Sequence, residues 1–124
     1  MTTNTVMPLP TEKEGVWIWS EMEPGDILNF STSNREYTLR RERAVSGKST
    51  FSLKGHPDYC PDFTPVRLLG QTDEDTITLL GFLGVGLYAE FAIIGKEETE
   101  DLFFSTSVVK AWSLHRNGVE VRHG

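Results

Sequence analysis

The stretch GFLGVG, Gly81 to Gly86, decides the fold class. Glycines spaced after an apolar run either cradle a phosphate at the start of a helix or bend one strand into the next. A P-loop ends in Gly-Lys-Ser/Thr, whereas Gly86 is followed by Leu87 and Tyr88. The dinucleotide fingerprint sets two close glycines ahead of a third, and here the order is reversed, with Gly81, Gly84 and Gly86. The spacing therefore predicts a corner between two strands rather than a nucleotide loop.

Outward from that corner the chain reads as β throughout. SLHR-NG-VEVR (113–122) places Asn117-Gly118 between two alternating runs, and both residues tolerate the positive φ that a two-residue hairpin demands. Glu23-Pro24-Gly25-Asp26 is a type II turn signal ahead of the strand Ile27–Thr32. YTLRRERAV (37–45) alternates, with Tyr37, Leu39, Arg41 and Arg43 on one side, and Ser46-Gly47-Lys48 turns it onto TFSLKG (50–55) with Phe51 and Leu53 inward. VRLLG (66–70) and TITLL (76–80) are two more strands around an acidic turn at 71–75. LYAEFAII (87–94) and DLFFSTSVVKAW (101–112) fit either strand or short helix and are read as strands, with Leu87, Ala89, Phe91 and Ile93 inward. About seven short strands at roughly ten-residue spacing describe a small, partly closed β-barrel of the SH3-like or OB-like kind, with at most one short helix and a C-terminal hairpin. Residues 1–15 are read as a flexible arm and 16–124 as one domain. Ser-Thr-Ser occurs twice, in STSNREYTLR (31–40) and STSVVKAWSLHR (105–116), each time followed by an aromatic, Ser/Thr, Leu and Arg; the unequal gaps rule out a repeat.

Composition narrows the function classes. At 38% hydrophobic and 24% charged residues the chain has the make-up of a globular domain, and no apolar run suggests a membrane span. The opening residues carry no basic and apolar leader, and Cys60 is the one cysteine, so a cytoplasmic location is expected. A net charge of −6 disfavours a nucleic-acid partner. The charge is unevenly placed: Arg35, Arg40, Arg41, Arg43, Lys48 and Lys54 fall within 35–54, while acidic residues dominate 73–101. Opposite segments on one chain suit pairing between copies, or an acidic protein partner.

Three constellations carry candidate chemistry. Val16-Trp17-Ile18-Trp19 is apolar on both faces if it is a strand, and a small barrel has one interior, so the arm or a second subunit should cover the other face. Together with Arg40, Arg41 and Arg43 it forms the expected interface of a non-enzymatic, self-assembling module. His56-x-Asp58-x-Cys60-x-Asp62 would project a nitrogen, a sulfur and two carboxylates to one side of an extended chain, a donor set for zinc. Pro57 and Pro61 break that regularity, and neither metal nor any other cofactor is assigned. The same loop offers Cys60 as a nucleophile with His56, His115 or His123 as its base, which makes a metal- or thiol-dependent enzyme the alternative function. A second alternative is a single-strand nucleic-acid groove with Tyr37, Phe51 and Tyr59 as stacking rings. The carboxylates of Asp73-Glu74-Asp75 and Glu97-Glu98 are read as solvated turns without the calcium-loop pattern.

Overall fold

A computed structural model describes residues 15–43, 50–72, 81–93 and 102–124. The strands are β1 (Gly15–Trp17), β2 (Ile27–Thr32), β3 (Glu36–Arg41), β4 (Phe51–Lys54), β5 (Thr64–Thr72), β6 (Phe82–Gly84), β7 (Tyr88–Ile93), β8 (Leu102–Arg116) and β9 (Val119–His123). The one helix among the described residues is a single turn, α1 (Ile18–Glu21). Strands β2, β3, β4, β5, β7 and β8 pair antiparallel in that order, and β8 returns to pair with β2. The result is a closed six-stranded barrel, so every one of these strands has a neighbour on each side. No helix among the described residues is long and apolar enough to cross a membrane.

Alternation fills the barrel. Leu28 and Phe30 of β2, Tyr37 and Leu39 of β3, Phe51 and Leu53 of β4, Val66 and Leu68 of β5 and Phe91 of β7 all point inward and are buried. Phe30 stacks on Tyr37 and on Phe91 at ring distances of 5.1 and 6.2 Å. The ambiguous segments are strands over Tyr88–Ile93 and from Leu102 on, with Leu87 in a bend before β7, because each finds a ladder partner on both sides: β7 between β5 and β8, β8 between β7 and β2.

Strand β8 runs for 15 residues and merges two segments that the sequence suggests separately. Its first half pairs with β7 and its second with β2. Two register shifts, opposite Tyr88/Glu90 and opposite Ser31/Thr32, each insert an extra residue into β8. Such bulges bend and twist a strand, which lets one strand bridge both sides of the closure. The predicted hairpin follows, with Asn117 at φ 53° and Gly118 at φ 78° leading into β9.

One end of the barrel is capped by β1, α1 and β6. β1 pairs with β6, and the GFLGVG stretch is a corner: Gly81 (φ 75°) leads into Phe82–Gly84 of β6, and Gly86 (φ 90°) turns the chain toward β7. Gly15 already belongs to this pairing, opposite Gly84, one residue earlier than the expected domain start. A Cβ there would fall 2.5 Å from the Leu83 carbonyl oxygen, so the close approach of the two strands requires glycine. Residues 1–14, the Ser46–Lys48 turn, TITLL and the acidic residues of 73–75 and 97–101 lie outside the described residues.

The chain enters β2 through the predicted turn, with the Asp26 N–H donating to the Glu23 carbonyl at 2.9 Å and Gly25 at φ 93°. The Asp26 side chain is buried and accepts the Glu23 N–H (2.9 Å) and the Arg116 fork (2.7 to 3.2 Å). Burial alone would raise the Asp26 pKa. The hydrogen bonds from Arg116 and Glu23, with the charges of Arg116 and Arg41, overcome this and hold the carboxyl below the ordinary aspartate range.

Two outcomes follow for stability. A depressed carboxyl pKa stabilises the fold above the unfolded value of about 3.9 and loses that contribution as pH falls through the folded value. Urea midpoints of the wild type should therefore drop more steeply below pH 4 than those of Asp26→Asn, which should also be less stable at pH 7. Ile18 is fully buried in the cap, and Ile18→Ala should lower the unfolding free energy by about 3 kcal/mol in urea titrations.

Candidate functional site

The capped end brings together most of the residues that the sequence marks as an interface, and it sorts them differently. Val16 and Ile18 are fully buried in the core, while Trp17 is half-buried and Trp19 is 52% exposed. The expected two-sided strand is corrected here: β1 stops at Trp17 and Ile18 opens α1. The cause is a set of polar bonds that no alternation pattern announces. The Glu21 carboxylate accepts the Trp17 N–H at 2.7 Å, and the Ile18 N–H donates to the Gly81 carbonyl at 2.9 Å. Guanidinium groups then satisfy carbonyls that a helical turn leaves open. Arg41 donates to the carbonyls of Met22 and Trp19, Arg116 to that of Glu21 (3.2 Å), and Arg122 to that of Gly15 (3.1 Å) while pairing with the Glu21 carboxylate.

Both indoles rest on rings of their own chain. Trp17 packs on Phe82 at 4.7 Å, so part of the apolar face expected to need an arm or a subunit is covered within the barrel. Trp19 meets Phe51 edge-on at 4.8 Å, with the Arg41 guanidinium 5.7 Å from its ring. A Cβ on Gly81 would sit 2.9 Å from the Trp19 ring, so this glycine leaves room for the indole as well as making the turn. The three arginines do not form one patch. Arg40 lies over the Phe63 ring at 3.9 Å and pairs with Glu42 at 2.7 Å, and Arg41 is drawn under the cap. Arg43 is exposed, without an ion pair among the described residues, on the rim of a hollow lined also by Glu23, Asp26 and His115.

The His56–Asp62 loop separates its four candidate ligands. His56 and Cys60 face each other across an antiparallel bridge closed by the turn at 57–59. His56 Nδ1 accepts the N–H groups of Asp58 (3.1 Å) and Tyr59 (3.3 Å), so its lone pair is committed to its own turn. Cys60 is fully buried in the core, while Asp58 and Asp62 are exposed. Among the described residues no three His, Cys, Asp or Glu side chains converge on a possible metal position. Burial raises the Cys60 thiol above its ordinary pKa, only partly offset by a main-chain hydrogen bond from His56, the reverse of what a nucleophilic thiol needs.

Elsewhere, Ser113 Oγ and His115 Nε2 stand 2.9 Å apart on β8. Their strand is paired with β2 on one edge and β9 on the other, so its main-chain N–H groups are engaged in ladders rather than arranged as an oxyanion hole. Of the proposed stacking rings, Tyr37 and Phe51 are inside the barrel; Tyr59 is partly exposed and stacks on Phe104 at 5.0 Å. Glu21 and Asp26, with their partners Arg122 and Arg116, escape a motif search because each pair joins segments distant in sequence. The turn signal just before Asp26 is the one local clue to any of them.

No protein-family model, curated protein or solved structure matches this chain. Its functional reading therefore rests on its own geometry. In native protein at pH 7, Cys60 should resist a thiol reagent for as long as the barrel is folded and react at once in urea, as a mass-spectrometric time course would record.

Proposed function

We propose that the protein is a non-enzymatic binding module that associates with copies of itself through the capped end of the barrel, with Trp19 as the anchor. The observation that carries this reading is the state of Trp19: half of a large indole is open to solvent, yet its edge is held by Phe51 and it faces the Arg41 guanidinium. A rigid aromatic loses little conformational freedom on association, and Trp and Arg are the residues most enriched at interface hot spots. Arg43, at the same end, offers an exposed positive charge.

A second copy is favoured as the partner by the charge layout. The sequence is basic over 35–54 and acidic over 73–101, so identical subunits carry charges of both signs that attract reciprocally, with Arg43 one of the exposed cations. The buried thiol and the separated His56–Asp62 side chains leave the metal- or thiol-dependent alternative without a supporting observation.

Sedimentation velocity from about 1 to 100 μM, in low and high salt, tests the reading. Wild type should form a concentration-dependent oligomer that weakens with salt, and Trp19→Ala should run as a folded monomer, its thermal midpoint lowered by the loss of the Phe51 contact. A wild type that stays monomeric throughout would overturn self-association. An oligomer indifferent to Trp19→Ala would remove Trp19 as its anchor.

A further inference from the structure

The end of the barrel opposite the cap holds a second hollow of about 260 Å³, and the two Ser-Thr-Ser triplets meet there. Among the described residues its wall is formed by Thr32 at the end of β2, Asn34 and Arg35 of the β2–β3 connection, Tyr37, His56, and Ser105, Thr106 and Ser107 of β8. The middle threonine of each triplet is buried and ties down main chain. Thr32 Oγ1 accepts the N–H groups of Asn34 (3.3 Å) and Arg35 (3.1 Å). Thr106 Oγ1 accepts the Ala89 N–H (3.1 Å) and donates to the Ser107 carbonyl (2.8 Å). Asn34 Nδ2 donates to Ser107 Oγ across the seam at 2.6 Å. Both walls of the hollow are thus held by their own side chains.

What the walls present is one-sided. Among the described residues no acidic side chain lines this hollow. The Arg35 guanidinium has no hydrogen-bond or ion-pair partner among the described residues. Tyr37 is 3% exposed, and its hydroxyl likewise has no protein hydrogen-bond partner among them, although a buried hydroxyl ordinarily has one. Because His56 Nδ1 accepts two main-chain N–H groups, the ring proton sits on Nε2, which becomes a donor. Arginine, imidazole N–H, phenol and serine hydroxyls around a concavity with no carboxylate among its described lining residues form the donor array that a tetrahedral oxyanion requires.

We infer that this hollow is a binding site for a phosphoryl oxyanion, with Arg35 supplying the charge and Tyr37, His56, Ser105 and Ser107 the directional donors. A volume of about 260 Å³ accommodates the anion with a small ester group and is below the usual range for a drug-sized ligand. The site lies at the far end from Trp19 and does not depend on self-association.

Isothermal titration calorimetry with inorganic phosphate and, separately, phenyl phosphate at low ionic strength tests the inference on the full chain. Saturable one-to-one binding with a Kd of about 1 mM or tighter is expected for at least one of them. The tighter of the two identifies the source as free phosphate or a phosphate monoester. Arg35→Ala should weaken binding about tenfold, and Tyr37→Phe, which keeps the ring stacked on Phe30, should weaken it severalfold. Lys110→Ala removes an equal charge from an exposed position outside the hollow and should leave the Kd unchanged. Trp19→Ala should bind as wild type does, which separates this outcome from that of the oligomer experiment. No saturable binding of either compound, or equal weakening by Arg35→Ala and Lys110→Ala, would overturn the site.

Discussion

The pairing of β8 with β2 is the constraint on which the rest of the molecule depends. Residues 27–32 and 109–115 are brought together across the chain to close the sheet on itself. Without that seam β2 would be an edge strand, open to pairing with other chains. Both of its ends are bolted by side chains. Asp26, just before the seam, receives the Arg116 fork from just beyond it, and Asn34 donates to Ser107 at the other end. A sequence separation of 90 residues makes the Asp26–Arg116 contact costly in chain entropy, and its burial with several charge-assisted hydrogen bonds offsets that cost.

The cap extends the same logic. A four-residue helical turn has no independent stability in water, and α1 exists because Glu21 holds its start while Arg41 and Arg116 hold carbonyls along it. Three of the arginines in a chain of net charge −6 therefore serve main-chain oxygen atoms. Segment charge is a poor guide to surface potential for this reason. Arg40 and Arg41 are neighbours in sequence, yet one stacks on Phe63 outside the barrel and the other reaches beneath Trp19.

The two ends of the barrel differ in chemistry. The capped end closes over apolar residues and exposes an indole with cations beside it, which suits the proposed association face. The other end gathers hydroxyls, an imidazole and one arginine, with no carboxylate among the described lining residues, which suits the proposed oxyanion site. The closed wall of the barrel lies between them. A closed β-barrel carries no activity of its own, and function lies in what its two rims present.

Local chemistry made much of the fold legible from the amino-acid sequence. The Asn117-Gly118 hairpin, the Pro24-Gly25 turn and the glycine corner at 81–86 each depend on positive φ or a fixed proline, and the alternation of Tyr37/Leu39 and Phe51/Leu53 marks the inner face. Those signals act over two to four residues and need no partner. The candidate sites were legible only in part. The sequence by itself determined an all-β barrel with a C-terminal hairpin, a Pro24-Gly25 turn and an inward face carrying Phe51 and Leu53. Only the tertiary structure decided that VWIW breaks after Trp17, that 102–116 is one bulged strand serving two neighbours, and that His56, Asp58, Cys60 and Asp62 point apart. It also decided that the two Ser-Thr-Ser triplets meet at one hollow. Each of these outcomes is set by hydrogen bonds between segments far apart in the chain, and residue spacing encodes distance along the chain but not across it.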